Sequence, residues 1–120
     1  MITVLLIDDD PVEAKLLSAF LRRRFGESDY ELVHAFGLEQ GLRALMARRF
    51  DHVLLDNRLP PFCDYRQTLP IIRMYAHGVE PIVVSASLMD QCFDELEQYG
   101  APAVIDKMRL RERIHAGLLG

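Results

Sequence analysis

Short apolar runs alternating with helix-patterned stretches predict an α/β fold, a parallel sheet with helices on both faces. Three observations carry that expectation. First, Ile2-Thr-Val-Leu-Leu-Ile7 is almost wholly apolar, as a strand buried on both faces must be. Second, similar runs recur at residues 31–35, 52–56, 81–85 and 103–106, with helical spacing between them. Third, four of these runs end in groups suited to metal or phosphate: Asp8-Asp-Asp10, Asp56, Ser85 and Lys107. In an open parallel sheet the carboxyl ends of the strands converge on one crevice, where ligands bind. Carboxylates, a hydroxyl and an ammonium gathered there make a site for Mg²⁺ and a phosphoryl group.

The elements follow in order. After the first strand, Asp10 is a helix N-cap and Pro11 suits the first helical position. Val12, Leu16, Leu17, Phe20 and Leu21 keep helical spacing, Arg22-Arg-Arg24 place cations in the last turn, and Gly26 ends the helix. Residues 31–35 form a weaker second strand. Leu42, Leu45 and Met46 give a second amphipathic helix from Leu38 to about Phe50. His52–Asp56 is the third strand. The stretch from Asn57 to Gln67 holds Pro60 and Pro61 and is read as irregular. Thr68 is taken as the N-cap of a short helix to His77, with Pro70 in its first turn and Gly78 just past its end. Pro81–Ser85 is the fourth strand, Leu88–Tyr99 the fourth helix, ended by Gly100, and Ala103–Asp106 the fifth strand. A last helix covers Arg109–Leu118.

Bulk properties narrow the function. The chain has 120 residues, enough for one domain with a real core, and no linker, repeat or low-complexity segment divides it. Half the residues are apolar and 27% are charged, an ordinary soluble balance. A net charge of −4 gives no electrostatic footprint for nucleic acid. Cys63 and Cys92 show no pairing pattern and suggest free thiols in a reducing cytoplasm. No apolar stretch approaches the roughly 18 residues needed to span a bilayer, and the first apolar run is too short for a signal peptide.

Val4-Leu-Leu-Ile-Asp-Asp9, Val53-Leu-Leu-Asp-Asn-Arg-Leu-Pro60, Ile82-Val-Val-Ser-Ala86 and Val104-Ile-Asp-Lys107 together resemble the four signatures of response regulator receiver domains. Each alone is weak; all four, in order across the whole chain, are specific. The resemblance implies one receiver over residues 1–120. Its fold would be flavodoxin-like, a doubly wound five-stranded parallel sheet of order 2-1-3-4-5 flanked by five helices. It implies that Asp56 takes a phosphoryl group from a phosphohistidine, with Asp8, Asp9, Asp56 and the backbone carbonyl of Arg58 holding Mg²⁺ or Mn²⁺. Ser85 matches the switch hydroxyl and Lys107 the lysine that pairs with the phosphoryl group. The implied partners are a sensor histidine kinase or histidine phosphotransfer protein. A downstream protein would be met through the fourth helix, fifth strand and fifth helix, and a homodimer is left open. Phosphotransfer to itself and self-dephosphorylation are expected rather than turnover of a separate substrate.

Departures from that pattern carry their own expectations. Met108 stands where the family has a cis proline after the lysine. A non-proline cis bond costs roughly 2.5–4 kcal/mol, so a trans bond and a slightly shifted Lys107 are expected. Val104 occupies the place of the switch aromatic, and Asp64 and Tyr65 lie near the place of a glycine, which suggests a rebuilt connection and a shortened third helix. These changes favour an alternative, a receiver-like docking module that works without phosphorylation. A hydrolase of the haloacid-dehalogenase type is disfavoured, because Asp8-Asp-Asp-Pro-Val12 lacks the threonine of that motif and the chain has no room for a cap. Asp10 is read as a helix cap. Arg22–Arg24 are read as a solvated helix end, and Phe93, Leu96 and Tyr99 as core. His34, His52, His77 and His115 lack ligand spacing and are read as structural, and Cys63 as a loop residue.

Overall fold

The computed structural model describes residues 1–120. Strands β1 (Ile2–Ile7), β2 (Tyr30–Ala35), β3 (His52–Asp56), β4 (Ile82–Ser85) and β5 (Val104–Asp106) form one parallel sheet in the order β2-β1-β3-β4-β5. The helices are α1 (Pro11–Phe25), α2 (Leu38–Ala47), α3 (Tyr65–Tyr75) and α4 (Leu110–His115). Two 3₁₀ segments, Gln91–Tyr99 and Lys107–Arg109, complete the five helical connections.

Strand periodicity divides the core into two layers, because successive side chains point to opposite faces of a sheet. Val4 and Leu6 of β1 and Leu54 of β3 face Leu17 and Leu21 of α1 and Leu110 and Ile114 of α4. Leu5, Ile7, Val53 and Leu55 face the other way, against Leu45 of α2, Leu69 and Ile72 of α3, and Cys92. A sheet covered on both sides brings its five carboxyl ends out at a single edge.

The helix boundaries show where long-range contacts outweigh local pattern. Helix α1 is capped as expected, the Asp10 side chain accepting from the Val12 amide at 2.9 Å. Its buried stripe runs through Leu17 and Leu21, so Val12 and Leu16, turned well away from that stripe, are exposed. Met46 is exposed for the same reason, lying one step around from Leu45. Helix α2 stops at Ala47 rather than Phe50. Arg48 leaves the helix in extended conformation and donates from Nη1 and Nη2 to the Glu31 carboxylate on β2, with its guanidinium 4.9 Å from the Phe50 ring centroid.

Helix α3 starts at Tyr65, not after Thr68. Two caps are in place there: Asp64 accepts from the Arg66 amide and Asn57 from the Tyr65 amide, each at 3.0 Å. Pro70 therefore lies inside the helix, and the Thr68 hydroxyl is buried without a hydrogen-bond partner. The expected fourth α-helix is instead the 3₁₀ segment Gln91–Tyr99, interrupted by non-helical backbone at Glu95. Its inward side chains Phe93, Leu96 and Tyr99 repeat every third residue against one core layer. The break at Glu95 lies between Phe93 and Leu96, and the apolar side chains on both sides of it stay on that layer. The last helix is a 3₁₀ turn at Lys107–Arg109 followed by α4, which ends at His115.

Gly41 fixes how closely α2 approaches β1: a Cβ there would lie 2.7 Å from Ile7 Cδ1. Alanine gains up to about 1 kcal/mol in helix propensity, while overpacking a core costs about 1–3 kcal/mol. Gly41→Ala is therefore expected to be net destabilising in urea denaturation. Adding Ile7→Val, which removes the clashing methyl, should make the pair less destabilised than the sum of the two changes.

Candidate functional site

Asp8 follows β1, with its amide bonded to the Ala35 carbonyl at 3.0 Å, so the end of β2 fixes where its side chain sits. Its carboxylate is buried, and Oδ1 accepts from the Asp10 amide at 2.9 Å. Asp9 is exposed beside it. Asp56 closes β3 and is only 5% exposed. Oxygens of Asp8, Asp9 and Asp56 all lie within 4.8 Å of one another. Lys107, leaving β5, brings Nζ to 3.3 Å from Asp8 Oδ2 and 3.3 Å from Asp56 Oδ1. Four side chains singled out in the sequence are thus one cluster at the carboxyl edge of the sheet.

The charges set the protonation states. Burial, and then the neighbouring Asp8 carboxylate, raise the Asp56 pKa to about 6; Lys107 opposes this only in part. Burial works against the Lys107 ammonium, but Asp56 and Asp8 outweigh it and its pKa is raised. Three clustered carboxylates with hard oxygen donors and one compensating cation suit a small divalent ion such as Mg²⁺.

The Ser85 side chain is turned elsewhere. The Ser85 hydroxyl donates to the Ser87 carbonyl at 2.9 Å and accepts from the Ser87 amide at 3.2 Å, a local turn that occupies it. The Arg58 side chain pairs with Asp90 and donates to the Cys63 carbonyl at 3.2 Å. Lys107–Met108 is a trans peptide, since the cis bond of the chain is Pro60–Pro61. The 3₁₀ turn that follows, with Asp106 accepting from the Met108 amide at 2.9 Å, orients Lys107 instead.

Two neighbours of the site escaped the sequence reading. His34 Nε2 lies 2.7 Å from the Asp8 carbonyl oxygen, with its ring 4.2 Å from that of Phe36. Asn57 is buried, and its side chain reaches the Tyr65 amide and Cys92. A polar residue placed directly after a fully buried strand was the available signal for Asn57.

The sequence profile of the response regulator receiver domain matches residues 4–118. This chain belongs to that family. Receivers work with histidine kinases in two-component systems, and the strand order found here is the receiver order. Among solved structures, the receiver domain of a sensor histidine kinase from Pseudomonas aeruginosa is 25% identical, with TM-score 0.78 over 98% of this chain and 93% of that one. It was solved with a magnesium ion coordinated in its active-site cleft. The Vibrio cholerae chemotaxis protein CheY4 is 20% identical, with TM-score 0.79 over 98% and 96% of the two chains. A Burkholderia pseudomallei response regulator, solved with a phosphorylated aspartic acid and a calcium ion, is 21% identical, with TM-score 0.78 over 98% and 66%. No curated protein sequence matches. No helix of this receiver is long and apolar enough to cross a membrane.

The raised Asp56 pKa gives the metal-free receiver a signed pH response. Its folded pKa of about 6 lies above the ordinary 3.8, so the folded state holds this proton more tightly than the unfolded one. The resulting contribution is largest below pH 4 and is lost as pH rises to about 6. Asp56→Asn should remove this loss and leave the protein more stable than wild type by up to about 3 kcal/mol at pH 7.5. Urea denaturation in chelator at pH 5 and 7.5 measures both effects.

Proposed function

We propose that this receiver accepts a phosphoryl group from the phosphohistidine of a sensor kinase or phosphotransfer protein onto Asp56, then releases it to water. The observation that carries this reading is Lys107 Nζ at 3.3 Å from both Asp8 and Asp56 within a triad of carboxylates. An Asp56 oxygen attacks phosphorus as the phosphorus–nitrogen bond to the donor imidazole breaks, forming an acyl phosphate. Charge builds on the phosphoryl oxygens, and Lys107 is placed to pair with one of them. Ser85 can exchange its Ser87 carbonyl for another. Asp8, Asp9, Asp56 and the Arg58 carbonyl are the residues that would hold Mg²⁺, or Mn²⁺. When bound, that ion neutralises charge on the transferring group. Hydrolysis later returns the Asp56 carboxylate and inorganic phosphate.

Phosphorylation adds about −1.5 to −2 charges, by analogy with other phosphoresidues. The output is protein contact through segment 91–99, β5 and α4, in the cytoplasm where such kinases act. A small-molecule phosphodonor with Mg²⁺, followed by intact mass, tests the reading. Wild type should gain one phosphate, and Asp56→Ala or chelated protein none. Lys107→Ala should react about 10²-fold or more slowly, the loss typical of removing one group that stabilises developing charge. No gain on wild type would instead favour a docking module that works without phosphorylation.

A further inference from the structure

The residues on either side of the β3–α3 loop all send their side chains to one place. Asn57, next to Asp56, is 1% exposed. Its Oδ1 accepts the Tyr65 amide at 3.0 Å, and its Nδ2 lies 3.7 Å from Cys92 Sγ. Burial pushes the Cys92 thiol up to about 11, so it stays neutral. Tyr65 is fully buried, and its hydroxyl donates to the Cys92 carbonyl at 2.8 Å. Its ring stacks on Phe93 (centroids 5.6 Å apart, 7° between planes) and meets Tyr99 edge-on at 5.6 Å. On the outside, Arg58 pairs with Asp90, and Arg66 bridges Asp64 and Glu95. The opposite route is poorly equipped. Ser85 is closed onto Ser87, and β5, Val104–Asp106, carries no ring that could turn.

The segment that Tyr65 contacts is not wound as an α-helix. In an α-helix the Cys92 carbonyl would accept from the amide four residues on, at Leu96; here it accepts from the Tyr65 hydroxyl, and residues 91–99 are 3₁₀ with a break at Glu95. We propose that Asn57 and Tyr65 relay the state of Asp56 to residues 91–99, with the Tyr65–Cys92 bond as the latch. When the loop after Asp56 moves to accommodate a phosphoryl group, Asn57 draws on the Tyr65 backbone. The latch opens, and the freed carbonyl lets the segment rewind. Tyr65 and Asn57 are positioning residues, since neither touches the phosphoryl group. This relay rests on Asp56 being the phosphoacceptor.

Beryllofluoride with Mg²⁺ is the probe, as a stable mimic of the phosphoryl group. The bound fluoride signal is followed by fluorine NMR, and backbone amide shifts across residues 88–110 by nitrogen-edited spectra. In wild type the largest shifts on binding are expected within 91–99. Tyr65→Phe keeps the ring and removes only the hydroxyl. It should bind beryllofluoride at least as tightly as wild type, because coupling is reciprocal, while its 91–99 response falls by roughly half or more, the latch being already open. Leu16→Ala, exposed on α1 on the other side of the sheet, should leave that response unchanged. An undiminished response in Tyr65→Phe, or shifts confined to 104–110 in wild type, overturns the relay alone. Absence of any bound fluoride signal in wild type overturns the phosphoacceptor reading and the relay with it.

Discussion

Carboxylates packed side by side out of water repel one another, and in this chain one ammonium keeps them together. Lys107 sits at equal distance from Asp8 and Asp56, and each of the three comes from the end of a different strand. The parallel sheet makes that meeting unavoidable, since β1, β3 and β5 all run the same way and end at one edge. Lys107 does not fully offset the repulsion, as the raised Asp56 pKa shows. A site left with surplus negative charge binds a divalent cation readily. Acidic groups that would be a liability in a core become useful at this edge, because solvent and metal can reach them from one side.

The rest of the fold serves to hold that edge still. Two apolar layers grip the sheet, and Gly41 lets α2 close on Ile7 in the strand that carries Asp8. Beyond β3, however, the chain departs from the common receiver pattern. A buried tyrosine lies near the place of a small residue, and the aromatic rings gather between α3 and residues 91–99 instead of on β5. The clustered charged groups and the aromatic contacts are therefore under different constraints. The former are tied to strand ends. The latter can be rebuilt wherever another buried contact reaches the same loop.

Much of this was legible in the residues. The Ile2–Ile7 and His52–Asp56 strands were bounded correctly because burial on both faces leaves an unbroken apolar run. Asp10 and Gly26 marked α1, since caps act over one turn and are read locally. The start of α3 was misplaced: Pro70 drew the boundary to Thr68, while the Asn57 cap came from eight residues upstream of Tyr65. The 3₁₀ form of 91–99 was also missed, because its reason lies in the core that Phe93, Leu96 and Tyr99 meet.

By itself, then, the amino-acid order determined which segments are strands, the direction in which they run, and which chemical groups stand at their ends. Those properties depend on apolar periodicity and on crossover geometry, both of which act within a few residues or one connection. Only the tertiary structure decided that Lys107 bridges Asp8 and Asp56, that Ser85 is held by Ser87, and that Tyr65 is locked to Cys92. Where a side chain points in a loop, and whether a helix winds by three or by 3.6 residues, depends on groups far away in the chain. Such contacts exist only once the two core layers have closed.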